Sequence, residues 1–130
     1  MDNNVKIFLS IVGLLFLGVI ATVLVRGGET EPVGPGKYDE FAMCLKDKGA
    51  VFYGAFWCPH CQAQKKMFGS SAKLLPYEEC STANGQGQLQ ICIDKKVNSY
   101  PTWEFADGSR LNGKISFAEL AEKTSCVLPQ

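Results

Sequence analysis

The chain has 130 residues, of which 46% are hydrophobic, and its 13 basic and 13 acidic residues give a formal net charge of zero. This length holds one ordinary domain and a small additional segment, and the balanced charge argues against a nucleic-acid partner. Six cysteines in so short a chain are typical of an oxidising compartment, such as a periplasm or the cell exterior.

The N-terminal region is dominated by an apolar run at 7–25 that contains no charged side chain. The run matches the roughly 20 apolar residues that a helix needs to cross the hydrocarbon core of a membrane. It follows a short tail, 1–6, and Arg26 closes it. A cleaved signal peptide is the alternative, with Val19-Ile20-Ala21 as the cleavage site. The length of the run and the charge of Arg26 favour an uncleaved membrane anchor.

Glycine and proline are concentrated in the next segment, 26–37, which predicts a flexible tether. The remaining residues, 38–130, are enough for a small domain that folds alone with help from disulfides. Because its cysteines indicate an oxidising compartment, we expect this domain on the extracytoplasmic side of the cytoplasmic membrane, held there by a single-pass anchor.

Within 38–130, helical and strand periods alternate, which predicts an α/β domain. The predicted elements, in chain order, are a helix at 38–48, a short buried strand at 50–53, a helix from Pro59 to near Gly69, a strand at 74–79, a short helix at 89–96, a strand at 101–105, a hairpin turn at Asp107-Gly108 and a last helix opened by a capping box at Ser116 and Glu119. This order predicts a three-layer α/β/α arrangement.

Two cysteines separated by two residues, in Trp57-Cys58-Pro59-His60-Cys61, lie at the predicted junction between the first strand and the next helix. The positive end of the helix dipole stabilises a thiolate at such a position, which makes the cysteine nucleophilic near neutral pH. We therefore predict that Cys58 is an exposed nucleophile and that Cys61, one turn inside the helix, resolves the mixed disulfide. A cationic His60 would stabilise the Cys58 thiolate further, and Trp57 would form part of an apolar collar around the disulfide.

A zinc clip is the alternative use of this motif. Zinc needs two more ligands at suitable spacing, but the sequence has no second Cys-x-x-Cys, and its single histidine, His60, lies between the two cysteines. We therefore expect no metal at this site.

Several stretches of the domain resemble the thioredoxin fold with its central mixed sheet. More narrowly, they resemble the thioredoxin-like domain that is fused to bacterial and plant vitamin K epoxide reductase homologues. The matching stretches are YGAFWCPHCQAQKKMFG at 53–69, YEEC at 77–80, YPTWEF at 100–105 and the LAEKTS helix at 120–125. The resemblance covers nearly all of 38–126. The four-helix reductase of the fusion proteins has no counterpart in this sequence, so the chain resembles the thioredoxin-like half on its own anchor.

The resemblance implies roles for residues outside the motif. In this family the proline that matches Pro101 is cis and lies against the active-site disulfide, and Tyr100, Pro101 and Thr102 would bind the substrate strand. A trans proline at the start of a strand is the alternative.

The other four cysteines are expected to be structural. Cys80 and Cys92 match positions that pair in the related domains, although a role in relaying electrons to a membrane partner stays open. Cys44 and Cys126 remain, and they either pair with each other or stay as buried free thiols.

Two features favour oxidation of substrates over their reduction. Pro59-His60 resembles the dipeptide of DsbA-type oxidants rather than the Gly-Pro of reducing thioredoxins. Typical thioredoxins also carry a buried aspartate six residues before the first cysteine, and this chain has Phe52 there. Phe52 is also explained simply as a core residue.

The sequence therefore predicts a membrane-anchored thiol–disulfide oxidoreductase that oxidises cysteine-containing exported proteins. It would use no cofactor beyond its own disulfide, and a quinone-linked membrane partner of the vitamin K epoxide reductase type would recharge it. The alternatives are a disulfide reductase or isomerase, and a tethered chaperone module that holds clients around Trp57 and Tyr100. Four lysines are interpreted as solvated surface: Lys65, Lys66, Lys95 and Lys96.

Overall fold

The computed structural model describes residues 2–25 and 35–130. They fall into two units, with the division between residues 33 and 34. Most of the predicted tether, 26–34, lies outside the described residues.

The first unit is a single helix, α1, over Asn3–Val25. Its stretch Asn3–Ile20 is long and apolar enough to cross a membrane, and none of that stretch is buried within the structure. A signal sequence near an N-terminus has the same length and composition, so the prediction of an anchor at 7–25 stays a prediction.

The second unit contains four helices and four strands in the described residues. They are α2 (Asp39–Asp47), β1 (Val51–Gly54), α3 (Pro59–Phe68), β2 (Tyr77–Glu79), α4 (Gln90–Asp94), β3 (Thr102–Glu104), β4 (Arg110–Asn112) and α5 (Phe117–Thr124). A capping box opens α5, since Ser116 and Glu119 exchange side chain-to-backbone hydrogen bonds as the sequence predicts. The unit is therefore a mixed α/β domain.

The four strands form one mixed sheet in the order β2-β1-β3-β4. β1 pairs with β2 in parallel, with Phe52 opposite Tyr77, and it pairs with β3 in antiparallel, with Phe52 opposite Trp103. The β3–β4 pair is also antiparallel. Because β1 and β2 are parallel, α3 is part of the crossover between them, and its N-terminus follows the carboxyl end of β1.

Two predicted strands are shorter than expected, the strand at 101–105, which is Thr102–Glu104 in the structure, and to a greater extent the strand before it. The sequence predicts a strand at 74–79, but Gly69–Leu74 forms a 3₁₀ helix and β2 begins only at Tyr77. Gly69 ends α3 with a φ of 55°, and the buried Ser71 hydroxyl accepts a hydrogen bond from the Tyr38 backbone N–H. This anchoring to the start of α2 keeps the segment out of the sheet.

The core lies against the central strands. Phe52 and Trp103 are fully buried, and their rings stack across β1 and β3 with centroids 4.8 Å apart. A second group of rings, Phe41, Phe68 and Phe117, packs α2, α3 and α5 together. The two cysteines of the motif follow the carboxyl end of β1, a central strand of this sheet.

Candidate functional site

Cys58 is the N-cap residue of α3, at the point where the chain leaves β1 and enters the helix. The cysteine has an extended backbone, and Pro59 occupies the first helical position, where its missing N–H has no helical partner to lose. Cys61 lies in the first turn of the same helix. Both cysteines are free thiols in the structure, so the site is described in its reduced form.

The predicted exposure of Cys58 is wrong, because only 5% of the residue is accessible. The carbonyl oxygen of Tyr100 lies 3.6 Å from its Sγ, which brings the segment before β3 over the sulfur. The Tyr100–Pro101 peptide bond is cis, as the resemblance implied. A partner sulfur must therefore approach Cys58 along the surface that Trp57 and Tyr100 border.

Cys61 is more deeply enclosed than Cys58, with 1% of the residue accessible. It lies against Gly54, where an added Cβ would come within 3.0 Å of its Sγ. Burial raises the pKa of Cys61 to about 12, and the hydrogen bond and charge of Cys58 add to this effect. A backbone hydrogen bond from Ala55 and the charge of Lys65 act in the opposite direction. Cys61 therefore holds its proton at neutral pH.

Trp57 and His60 flank the dithiol on its open side. The Trp57 indole is 49% exposed, its Nε1 donates to the Ser81 hydroxyl at 2.8 Å, and its ring meets that of Tyr100 edge-on at 6.1 Å. His60 is exposed in the first turn of α3. Its predicted effect on the Cys58 thiolate stays a prediction.

The predicted role of Thr102 in substrate binding needs correction. Thr102 is buried in β3, which has β1 on one side and β4 on the other. Its hydroxyl oxygen lies 2.7 Å from the Ser99 carbonyl oxygen and 2.8 Å from Asn112 Oδ1, so its single O–H is used within the segment. Pro101 is also fully buried, which leaves Tyr100 as the half-buried member of the predicted set. Thr102 fixes the segment rather than offering a side chain to a substrate.

Beside the dithiol lies a groove of about 430 Å³ that the sequence did not predict. Its walls come from three parts of the chain, namely Trp57, the loop 85–88, and the segment with Val97, Asn98 and Tyr100. None of these lining residues is charged. Gln88 braces the groove, since its amide donates to the Val97 carbonyl and to the Tyr100 hydroxyl.

The other four cysteines form two disulfides. Cys80 is joined to Cys92 with Cα atoms 5.5 Å apart, and both residues are fully buried. This bond closes the loop that carries the groove. Cys44 is joined to Cys126 with Cα atoms 5.9 Å apart, a pairing that the sequence left open. It ties α2 to the end of the chain.

Three functional-site neighbours were missed at the sequence level. Lys65, interpreted as solvated surface, is half-buried and places its Nζ 3.2 Å from the centroid of the Tyr77 ring. The Tyr77 hydroxyl donates to Glu79 Oε2 at 2.8 Å. Glu79 Oε1 in turn accepts from the Phe56 N–H at 3.2 Å. The four-residue spacing from Cys61 to Lys65 was the available signal, because it places both side chains on one helix face.

These neighbours have perturbed acid–base properties. Burial lowers the pKa of Lys65, while the charges of Glu79 and Cys61 raise it in opposition. Burial raises the pKa of Tyr77, and its hydrogen bond to Glu79 raises it further. Within residues 2–25 and 35–130, no three His, Cys, Asp or Glu side chains are grouped as metal ligands.

The arrangement is that of a mixed α/β domain with a Cys-x-x-Cys dithiol at a strand-to-helix junction, a geometry suited to thiol–disulfide chemistry. No protein-family model matches the chain. The chain is 46% identical over 93 residues to a protein named thiol-disulfide oxidoreductase LTO1 from Arabidopsis thaliana. The aligned region covers 68% of this chain and 24% of that relative, so the chain spans about a quarter of the relative's length. This similarity supports a thiol–disulfide redox function.

Proposed function

We propose that the protein is a membrane-anchored thiol–disulfide oxidoreductase with a thioredoxin fold, in which Cys58 exchanges disulfides with cysteine-containing exported proteins. The observation that carries the proposal is the dithiol itself. Cys58 caps α3 beneath the Tyr100 carbonyl, and Cys61 is enclosed one turn behind it. The strand order and the α3 crossover support the thioredoxin fold.

The exchange begins with the disulfide form of the site. A substrate thiolate forms a bond to Cys58 Sγ while the Cys58–Cys61 bond breaks, and the electron pair leaves on Cys61 Sγ, which then takes a proton from water. A second substrate thiolate attacks the substrate sulfur of the mixed disulfide, and Cys58 leaves as a thiolate. The substrate is oxidised by two electrons and the dithiol is formed.

Oxidation is the proposed direction. The Pro59-His60 dipeptide supports it, and so does the apolar environment at Phe52, which is fully buried against Trp103. A carboxylate at that position would be available to take a proton during substrate reduction, and a phenyl ring is not. We propose further that a quinone-linked membrane protein of the vitamin K epoxide reductase type reoxidises the dithiol, and that the protein carries no cofactor beyond its disulfide.

The test uses the full chain in detergent, oxidised and then mixed with a reduced, unfolded protein that has several cysteines. We expect disulfides to form in that protein at a rate proportional to the concentration of the oxidised chain. Cys58→Ala should abolish the transfer. Cys61→Ala, loaded as a Cys58 mixed disulfide with a small thiol, should form a stable protein–protein adduct with a variant of the substrate that keeps one cysteine, because no second substrate thiolate is present to release Cys58. An active Cys58→Ala protein would contradict the proposal.

The direction has its own measurement. An oxidant should have a reduction potential well above the roughly −270 mV of thioredoxin. A potential near that value would instead support the alternative of a disulfide reductase or isomerase.

A client-binding module is the second candidate, and one observation favours it. Phe56 and Trp57 are each 49% exposed side by side at the mouth of the site, which is a large apolar surface for adjacent residues. If Cys58→Ala retained full activity in cells while Trp57→Ser lost it, binding rather than exchange would be the function.

A further inference from the structure

We propose that Lys65 is a positioning residue for the second cysteine, and that its ammonium group stabilises the thiolate of Cys61 whenever the Cys58–Cys61 bond breaks or forms. The inference rests on the proposed exchange at Cys58 and names a residue outside the Cys-x-x-Cys motif.

The placement of Lys65 follows from α3 and β2 together. Lys65 is four residues after Cys61 and so lies on the same face of α3. Its Nζ lies 3.2 Å from the centroid of the Tyr77 ring. The Tyr77 ring and the Cys61 sulfur are neighbours, because Tyr77 Cε2 and Cys61 Sγ both lie within 3.0 Å of the point where a Cβ on Gly54 would be. The cation is therefore held on the ring that borders the sulfur.

The ring is held in place by Glu79. Its Oε2 accepts from the Tyr77 hydroxyl at 2.8 Å, and its Oε1 accepts from the N–H groups of Phe56 at 3.2 Å and Ser81 at 2.9 Å. One carboxylate thus connects the Tyr77 ring to the turn that precedes Cys58. A cation–π contact with a ring fixed in this way restrains the Lys65 side chain at low entropic cost.

Few other groups can act on the Cys61 sulfur. The titratable groups that face it are Cys58 and Lys65 from α3, and Tyr77 with its partner Glu79 from β2. Gly54, which ends β1, and Ala55, which follows it, contribute no ionisable side chain, although the backbone hydrogen bond at Ala55 also lowers the pKa of Cys61. Since burial disfavours the Cys61 thiolate, one cation on the same helix face is the main charge that favours it.

The step in which this charge acts is the exchange at Cys61. When a substrate thiolate attacks Cys58, Cys61 leaves with the electron pair and then takes a proton from water. When the dithiol is reoxidised through a mixed disulfide on Cys58, Cys61 loses its proton to water, its thiolate bonds to Cys58 Sγ, and the partner sulfur leaves with the electron pair. Negative charge develops on Cys61 Sγ in both directions, beside the Lys65 cation.

The test uses the reduced full chain in detergent and the neutral reagent 2,2′-dithiodipyridine, which releases one coloured thiopyridone at each step. The first release reports attack by Cys58, and the second reports attack by Cys61 on the mixed disulfide. We expect Lys65→Met to slow the second release about threefold at pH 7 and to change the first by less than about 1.5-fold, because losing one opposite charge raises a thiol's pKa by about one unit and the greater nucleophilicity of the remaining thiolate offsets part of the loss.

Two further variants separate a charge effect from a packing effect. Lys65→Arg should restore the second release to within about 1.5-fold of the wild type, and Lys66→Met, the exposed neighbour, should change neither release. In Lys65→Met, the pH dependence of the second release should also shift to higher pH. An unchanged second release, or equal slowing of both releases, would overturn the role of Lys65 while leaving the exchange at Cys58 intact. Absence of the first release in the wild type would overturn the proposed function itself.

Discussion

Gly54 lets the sheet and the active-site helix approach each other. It ends β1, and a Cβ on this residue would lie 2.8 Å from Tyr77 Cε2 and 3.0 Å from Cys61 Sγ. The strand predicted at 50–53 stops one residue before Gly54, and a glycine just after a strand has many explanations. Only the packing shows that the missing side chain is what makes room for the second cysteine.

Gly54→Ala is therefore predicted to disturb the site and the fold together. The extra methyl group must push against a ring and a sulfur in a packed interior, which costs roughly 1–3 kcal/mol of unfolding free energy. Urea unfolding of the reduced protein measures this cost. Tyr77→Ala removes one of the two clashes. Adding Gly54→Ala to the Tyr77→Ala protein should therefore cost less unfolding free energy than adding it to the wild type. A loss below about 0.5 kcal/mol for Gly54→Ala would show that the site has room to spare.

Cys61 also makes the stability of the reduced protein depend on pH. Its pKa is about 12 in the folded protein, against an ordinary value of 9.0, so the unfolded chain releases this proton first as the pH rises. The contribution of the protonated Cys61 thiol to the free energy of unfolding is fully present below about pH 9 and is lost as the pH rises from there toward 12. Over that interval we expect the free energy of unfolding to fall by up to about 1.4 kcal/mol per pH unit.

The measurement compares urea unfolding of the reduced wild type with Cys61→Ser, which has no thiol at this position, between pH 7.5 and about 10.5. Tyr53 and Tyr77, whose pKa values burial also raises, titrate in both proteins and largely cancel in the difference. A difference between the two proteins that stays constant across this range would contradict the raised pKa of Cys61.

Among the elements, α3 is tied to the start of α5 by a single side chain. Gln64 is fully buried, its Nε2 donates to the Ile115 carbonyl at 3.1 Å, and its Oε1 accepts from the Ile115 N–H at 2.7 Å. This role could not be predicted from the sequence, because a glutamine on a helix is most often exposed. The clamp joins residues 51 positions apart, and such a contact becomes visible only when both segments are in place.

Gln64→Leu should remove both hydrogen bonds and leave two buried backbone groups without partners. Each unsatisfied group costs about 1–3 kcal/mol, so we expect the two to reduce the unfolding free energy by roughly 2–6 kcal/mol. Thermal and urea unfolding provide the measurement, and Gln90→Leu on the exposed side of α4 is the matched control. Equal stability of the two variants would mean that water replaces the lost partners.

The two disulfides should have different consequences, because they close loops of different length. The Cys80–Cys92 bond spans 12 positions and holds the loop beside the groove, whereas the Cys44–Cys126 bond spans 82. By loop entropy, removing the first should cost about 3 kcal/mol and removing the second about 4.5 kcal/mol. Paired alanine variants, measured by urea unfolding, test this order.

The first pair also tests the electron-relay alternative. If Cys80 and Cys92 only close the loop, the Cys80→Ala/Cys92→Ala protein should still accept disulfides at Cys58. Its main defect should be weaker binding of substrates along the groove. Normal folding together with complete loss of reoxidation by a membrane partner would instead assign these cysteines to the relay.

At the scale of the whole molecule, the proposed function includes a membrane anchor, α1, that stays attached to the domain. We predict that the full chain resists alkaline extraction from membranes and keeps its N-terminus, which intact-mass measurement shows directly. Leu14→Lys/Leu17→Lys should release it, because each charge in the middle of an apolar span costs roughly 2.5–3.5 kcal/mol. Leu89→Lys/Ile91→Lys, at exposed apolar residues of the domain, is the control. A mature protein that begins after Ala21 would establish the signal-peptide alternative.

Local sequence patterns were sufficient to predict much of the secondary structure and the position of the dithiol in this protein. The apolar run in α1, the Cys-x-x-Cys motif at the start of α3, the alternation of helices and strands, and the capping box of α5 are all read from neighbours within about four positions along the chain. Hydrophobic periodicity, helix capping and proline at a first helical position are local effects, so the sequence alone determines them.

The environment of the two sulfurs was decided only by the tertiary structure. The cover of Tyr100 over Cys58, the withdrawal of Thr102 into the sheet, and the contact of Lys65 with the Tyr77 ring each depend on segments that are distant in sequence and adjacent in space. Burial and charge act on a thiol through its surroundings in three dimensions, so the sequence predicts which residues react, and the packing decides how readily each sulfur gives up its proton.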